Sequence, residues 1–282
     1  MFYFAVENAK GERLSLTDNT HRYVIDKIDG LAPVAAKTNK TQQGDSGEKI
    51  TSIKIPARNI NVRLTLRGDI EQNRVELYRY CKVGEWITIY YRNGRRDVMI
   101  KGMVEDITPD YFSKECGVQI VILCPKPFFK AAQEMIVDIS RVIDEFEFPF
   151  SIEEEGIPIS SIDKYITQNV LNSGDRESGL IIEMEATGAV LNPKIYNTAT
   201  AEMLGVNIQM QKGDKITFDT SEGEKTVSLL RGGVEKNIFN LLMSGITWLP
   251  LKLGDNVFTY ESDEGTENLT IRFCHRDLYG GV

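Results

Sequence analysis

Between Ala57 and Phe129 apolar and polar positions alternate in short, sharply punctuated runs. Val62, Leu64 and Leu66 alternate with Arg63, Thr65 and Arg67, the period of two of a half-buried strand. After Gly68 the spacing changes. Ile70, Leu77, Tyr78 and Cys81 fall near one face at a period of 3.6, which predicts a helix over 69–81. Asp69 with Gln72 three residues on has the spacing of a capping box, and Gly84 lies shortly past the end. Strands over 86–91 and 98–104 flank Asn93-Gly94, a dipeptide that predicts a hairpin with a type I′ turn because that turn needs positive φ at both central residues. A strand over 117–123 then meets Cys124-Pro125-Lys126-Pro127, where two prolines without N–H donors end sheet pairing.

Upstream, short strands are expected near 2–6, 13–16 and 23–27. The polar stretch from Lys37 to Glu48, with Gln42-Gln43-Gly44-Asp45-Ser46-Gly47, suits a mobile loop or hairpin tip with a strand over 49–55 on its far side. Two readings of this arm stay open. One is an idle protrusion; the other is an adhesive contact with a neighbouring subunit, carried by Lys37, Thr41, Gln43, Asp45 and Lys49.

From Met135 to Ile159 the texture changes. Phe146, Phe148 and Phe150 alternate with Glu145, Glu147 and Pro149, and Glu153-Glu154-Glu155-Gly156 follows, which reads as a strand and a linker. The domain boundary is placed within 130–150, giving domains 1–140 and 141–282. The second half alternates in short runs: 180–184, 206–210, 216–218, 227–229 and 269–273. Lys212-Gly213-Asp214, Ser221-Glu222-Gly223-Glu224, Arg231-Gly232-Gly233 and Leu253-Gly254-Asp255-Asn256 separate strands as turns, the pattern of a β-sandwich. One helical turn is expected over 237–243. The fold class is therefore mainly β in two domains: an α+β first domain with one helix and a protruding hairpin, then an all-β second domain.

Composition adds boundaries. A chain of 282 residues, 41% hydrophobic and 26% charged, has room for two cores of ordinary size and the make-up of a soluble globular protein. No apolar run approaches the roughly eighteen residues of a membrane span. The first residues lack the basic head and apolar stretch of a signal peptide, so synthesis and folding in cytoplasm are expected. Residues 1–150 carry a net charge of +1 and residues 151–282 a net of −9. Without a basic stripe, such a chain is a poor holder of nucleic acid through its phosphates.

Candidate chemistry is sparse. Cys81, Cys116, Cys124 and Cys274 form no C-x-x-C pair, so a zinc site is not expected and all four read as reduced, structural residues. The adjacent Cys274 and His275 point to opposite faces of a strand and do not make a nucleophile–base pair; His21 reads as a surface turn residue. Glu153-Glu154-Glu155 and Asp263-Glu264 read as solvated turns, with neither the calcium-loop nor the phosphate-loop pattern present. No catalytic residue, metal or cofactor is assigned. Among the aromatics, Tyr91 beside Arg92 is the candidate exposed contact at a hairpin end. Trp248, beside Leu249 and Leu251, reads as core more readily than as a sugar-stacking platform.

The first half resembles the N-terminal domain of the distal tail protein (Dit) family of long, non-contractile-tailed bacteriophages. The resemblance is carried by Tyr23-Val24-Ile25, Ile28-Asp29-Gly30-Leu31, Gln43-Gly44-Asp45-Ser46-Gly47, and Arg58 with Ile60. It continues through Leu77-Tyr78-Arg79-Tyr80, Trp86-Ile87-Thr88-Ile89-Tyr90, Ile100-Lys101-Gly102-Met103-Val104 and Cys124-Pro125-Lys126-Pro127-Phe128-Phe129. The second half is similar to that family's galectin-like sandwich through residues 213–219 and 248–256. It lacks the long carbohydrate-binding insertion that some members carry.

The resemblance implies a β-sandwich or split-barrel first domain and a structural, non-enzymatic role in the virion tail, assembled in the cytoplasm of a bacterial host. It implies a homohexameric ring at the distal end of the tail tube, a baseplate assembly hub with first domains circling the bore. The implied partners are the tail tube protein, the tail-tip protein and receptor-binding or other baseplate proteins. DNA would pass through without specific binding, and no membrane insertion is implied. The arm then becomes a belt reaching the next subunit. The alternative function is a carbohydrate-binding module that reads surface glycans through the second domain.

Overall fold

The computed structural model describes residues 2–42, 46–111, 116–139 and 167–282. The alternating phenylalanines at 146–150 and the arm residues Gln43 and Asp45 lie outside these. The chain divides into two units, Met1–Gln133 together with Arg276–Val282, and Glu134–His275. The expected division cut the chain once, at 140. Here it is crossed twice, and the last seven residues belong with the first unit.

The first unit runs β1 (Tyr3–Glu7), β2 (Arg13–Ser15), β3 (Tyr23–Asp29), β4 (Lys37–Gln42), β5 (Glu48–Lys54), β6 (Arg58–Leu66), α1 (Ile70–Tyr80), β7 (Trp86–Arg92), β8 (Asp97–Pro109), β9 (Gly117–Cys124) and β10 (Phe129–Ala131). The main sheet is antiparallel in the order β2-β1-β7-β8-β9-β6-β3, with β10 added along β8. The thirteen residues of β8 serve two partners. Asp97 to Met103 pair with β7, and Met103 to Pro109 pair with β9. The register shifts between Val104 and Asp106, so Glu105 is the extra residue of a bulge that redirects the strand.

Alternation decides which side chains enter the core. Ile60, Val62, Leu64 and Leu66 of β6 meet Val118, Ile120 and Ile122 of β9 and Ile87 and Ile89 of β7. Helix α1 covers this cluster with Leu77 and Cys81 buried and Ile70 and Tyr80 partly so. Tyr78, expected on the buried face, is instead half-exposed, its hydroxyl 3.3 Å from that of Tyr111. Asp69 caps the helix, accepting from the Gln72 N–H at 3.1 Å. Gly102 has no room for a side chain, since a Cβ there would lie 2.6 Å from Ile122 Cγ2 and 2.7 Å from Cys124 Sγ.

The β7–β8 hairpin forms where expected, but its turn differs. Neither Asn93 nor Gly94 has positive φ. The Asn93 side chain accepts from the N–H groups of Arg95 and Arg96, both at 2.8 Å, and the Asn93 N–H donates to the Arg96 carbonyl at 2.9 Å. The side chain thereby closes a longer loop and removes the need for a left-handed pair.

The second unit comprises β11 (Met135–Ile139), β12 (Thr167–Asn172), β13 (Ile181–Ala186), β14 (Val190–Leu191), β15 (Lys194–Asn197), β16 (Glu202–Gly205), β17 (Gln209–Met210), β18 (Lys215–Asp219), β19 (Thr226–Arg231), β20 (Val234–Asn237), β21 (Gly254–Glu261) and β22 (Leu269–His275). One sheet is β11-β22-β13-β18-β19-β20 and the other β12-β21-β15-β16, all antiparallel. Met184, Phe218, Val227 and Phe273 of the first share one core with Val170, Ile195, Leu204 and Phe258 of the second, so the expected sandwich is present. The expected helical turn is a 3-10 turn at Phe239–Leu241.

After β22 the chain returns to the first unit as β23 (Leu278–Tyr279), antiparallel to β10. Arg58 locks this return. Buried to 1% exposure, its guanidinium donates to the carbonyls of Pro127 (2.6 Å), Ala32 (2.7 Å), Gly280 (2.6 Å) and Gly30, and lies 4.5 Å from the Phe129 ring centroid. Burial lowers its pKa from the usual arginine value. Gly30, at φ +92, lets the backbone approach: a Cβ there would sit 2.1 Å from the Asn59 carbonyl oxygen.

Candidate assembly interface

The stretch expected as a loop or hairpin tip is a two-stranded sheet of its own, β4 on β5. Lys40 and Glu48 pair across it at 2.8 Å, and Asn39 Nδ2 donates to Ser52 Oγ at 3.0 Å. Every described residue in β4 and β5 is exposed apart from the half-buried Ser52. A hairpin that buries no apolar surface is marginal in water and gains stability only where something covers it.

The register gives this arm two unlike faces. Cross-strand partners share a face, and residues two apart on one strand share a face. Thr38 pairs with Ile53 and Lys40 with Ile50, because the register slips by one residue between Asn39 and Lys40. The slip leaves Thr51 as an extra residue and brings Ile50 and Ile53, three apart in sequence, to the same side. The opposite side carries Lys37 and Lys54, paired with each other, and Lys49, paired with Thr41. Of the arm residues singled out from sequence, Lys37, Thr41 and Lys49 thus share the cationic face. The apolar face escaped the sequence reading because a spacing of three on a strand looks like opposite sides until the bulge is known.

At the other candidate contact, Tyr91 is buried, which corrects the expectation that it is exposed. Strand β7 alternates with Ile87, Ile89 and Tyr91 inward and Trp86, Thr88, Tyr90 and Arg92 outward. Tyr91 meets Phe2 edge to face with centroids 5.5 Å apart. Arg92 is exposed, with its guanidinium 5.2 Å from the Tyr3 ring, and Arg13 lies 3.6 Å over Tyr90. Trp248 packs at the edge of the second core, stacked on Phe239 at 5.8 Å with the Lys225 ammonium 5.5 Å from its ring.

The residues with nucleophilic chemistry are held inert. All four cysteines are free and buried. Burial pushes the Cys81 and Cys124 thiols up to about 12, and it raises Cys274 as well, so the thiolate needed for attack is scarce. His275 is buried beside Cys274, whereas His21 occupies an exposed turn at φ +51. Among the described residues no group of three His, Cys, Asp or Glu side chains is placed to hold a metal. No described helix is long and apolar enough to cross a membrane.

The model of the siphovirus-type tail component, C-terminal domain, matches residues 173–277, most of the second unit. The whole chain also shares its fold with SPP1 Dit (gp 19.1), a protein described as a paradigm of the hub adsorption apparatus of phages infecting Gram-positive bacteria. That match has a TM-score of 0.68 at 16% identity, over 97% of this chain and 98% of that one. Over residues 173–277 the chain is therefore similar to the siphovirus-type tail component family, and over its whole length it shares the fold of SPP1 Dit. Chains of the phage P2 baseplate in its activated conformation share the fold as well. The calcium form matches at TM-score 0.59 and 10% identity, the strontium form at 0.58 and 11%, each over 98% of both chains. No curated protein matches the chain.

Proposed function

We propose that this chain forms a homohexameric ring at the distal end of a long, non-contractile tail and is the hub on which the baseplate assembles. The first unit circles the bore and the galectin-like second unit serves attachment of further tail parts. The tail tube protein lies on one side, and the tail-tip and receptor-binding proteins on the other. The observation that carries this reading is a fold shared end to end with SPP1 Dit, itself described as a hub, in a chain bearing a hairpin whose described residues are exposed apart from Ser52. A ring needs a heterologous contact, in which a feature of one copy meets a different feature of the next. A projecting arm is such a feature, and it is the proposed belt between subunits.

Negative-stain electron microscopy and light scattering on the purified chain, alone and with its neighbouring tail proteins, test the proposal. Annuli with six-fold symmetry and a sixfold mass are expected. Replacing residues 38–53 by a short Gly-Ser turn is expected to leave folded monomers. Rings that survive this deletion would remove the arm from the interface, and a monomer under every condition would remove the ring.

A further inference from the structure

We infer that the β7–β8 turn modifies itself: Asn93 is a site of intramolecular deamidation, in which the main-chain nitrogen of Gly94 displaces ammonia from the Asn93 side chain. The reaction consumes only water and stands independently of the assembly reading above.

The chemistry needs a side-chain amide carbon beside a main-chain nitrogen with room to attack it. Asn or Asp precedes Gly at two places in the chain, Asp29-Gly30 and Asn93-Gly94. At the first, Asp29 is paired with Lys27 at 2.8 Å, and a Cβ on Gly30 would lie 2.1 Å from the Asn59 carbonyl oxygen. At the second, Gly94 is exposed and its Cβ position has nothing within 4 Å. The Gly94 N–H donates to none of the described residues, so this nucleophile is not held in a bond that attack must first break.

The same turn prepares the electrophile. Asn93 Oδ1 reaches past Gly94 to accept from the N–H groups of Arg95 and Arg96, both at 2.8 Å. This ring of bonds folds the amide carbon back toward the Gly94 nitrogen, which is the proximity that attack requires. As nitrogen adds to carbon, negative charge gathers on Oδ1, where the two N–H donors already point. That is the geometry of an oxyanion hole. The leaving nitrogen, Nδ2, lies 3.3 Å from the Tyr91 hydroxyl. In the adduct Nδ2 regains a lone pair, so the hydroxyl can rotate and give it the proton with which it departs. Arg92, Arg95 and Arg96, set against one carboxylate at Asp97, favour loss of the Gly94 amide proton.

The steps balance. Hydroxide takes the Gly94 proton, the bond from Gly94 N to Asn93 Cγ forms, and the Cγ–Nδ2 bond breaks. Ammonia leaves, a succinimide remains, and Tyr91 recovers its proton from water. Water then opens one imide carbonyl. Opening at Cγ gives aspartate, whose carboxylate can keep both N–H donors. Opening at the main-chain carbonyl gives isoaspartate, which adds a methylene to the chain between the two strands. Either product places a new negative charge among the three arginines.

The test incubates the full chain in mildly alkaline buffer and digests it with a protease that cuts after glutamate. The 86–105 fragment contains one side-chain amide, that of Asn93, so a mass shift from amide to acid locates the site. The folded chain is expected to react about tenfold faster than the free 86–105 peptide, at a rate that rises with hydroxide. Hydroxylamine, which cleaves imides, should cut the folded chain between 93 and 94. Position 94 is outside the left-handed region and open, so Gly94→Ala should fold normally and be spared. Tyr91→Phe keeps the buried ring and should slow the reaction about tenfold. A folded chain that reacts no faster than the peptide, or that hydroxylamine leaves whole, would overturn the proposal. An unchanged rate in Tyr91→Phe would remove the hydroxyl from it.

Discussion

Arg58 is the residue on which the first unit closes. Four of its five N–H donors go to main-chain carbonyls from three separate stretches, 30–32, 127 and 280. A buried guanidinium held by carbonyl dipoles is tolerable because each of its three nitrogens finds at least one oxygen. Arg58→Ala would take the shared donor from four main-chain carbonyls and leave a hole beside Phe129, so a loss of about 3–5 kcal/mol is expected in denaturant unfolding. Arg58→Lys should recover little, because an ammonium lacks the planar fork that reaches several carbonyls at once. Full stability in the lysine variant would show that charge, not geometry, is what the site needs. Asp214 offers a contrasting case in the second unit. Arg231 pairs with its carboxylate, Nη2 at 2.5 Å and Nε at 3.0 Å, and the Gln211 N–H adds a bond at 2.7 Å. The pairing with Arg231 holds Asp214 below the usual carboxylate range. Because the folded-state value is depressed, its contribution is complete above about pH 4, the unfolded value, and fades as pH falls through the folded value. Asp214→Asn should therefore cost stability at pH 7, on the order of 1–2 kcal/mol after allowing for the exposed arginine, and much less at pH 3. An equal cost at both pH values would contradict this.

At the scale of elements, strands with strict alternation were readable and those with interrupted alternation were not. Residues 86–92 and 117–124 were placed to within a residue because each inward position is apolar and each flank carries a breaker. Strand β21 was missed altogether because Gly254-Asp255-Asn256 has turn composition, yet here it pairs with β12 from its first residue. Asn256 is buried because its amide bonds the carbonyls of Lys252 and Gly254, a local use of polarity that composition cannot distinguish from a solvated turn. The arm was legible as a protruding hairpin with a strand on its far side, but its near strand read as loop, since β4 carries no apolar residue at all. Tyr91 was misjudged because its neighbour Tyr90 is chemically alike, and only the phase of the strand tells which ring faces out. The arm's own dynamics follow from its exposure. Amides of residues 37–42 and 48–54 should exchange with solvent quickly in a monomer, because their hydrogen bonds shield nothing. In assembled rings the same amides should slow by at least about tenfold while the β6 and β9 amides stay unchanged. Equal exchange in both states would mean that the arm is uncovered in the ring.

For the molecule as a whole, the double crossing between units has a thermodynamic consequence. The return segment is too short and too glycine-rich, Leu278-Tyr279-Gly280-Gly281-Val282, for any periodicity to announce it. Its placement is set by partners that are distant in sequence. Tyr279 pairs with Phe129 and lies 4.1 Å from the Arg96 guanidinium, Gly280 accepts from Arg58, and the Val282 N–H donates to Leu31 at 3.1 Å. Position 281 admits only glycine without adjustment, because a Cβ there would lie 2.7 Å from Pro33 Cδ. Such a segment completes the first unit along β10, so the native pairing of that unit is finished only after the second is synthesised. Deleting residues 278–282 should then act on one unit alone. Calorimetry is expected to show two transitions in the intact chain. The deletion removes one acceptor of a buried arginine, one strand pairing and one ring contact, about 2–4 kcal/mol together. For a domain of this size that lowers one transition by roughly 5–15 °C and leaves the other in place. If both transitions move together, the two units unfold as one and the segment holds the whole chain; if neither moves, the strap is ornamental and Arg58 is satisfied without it.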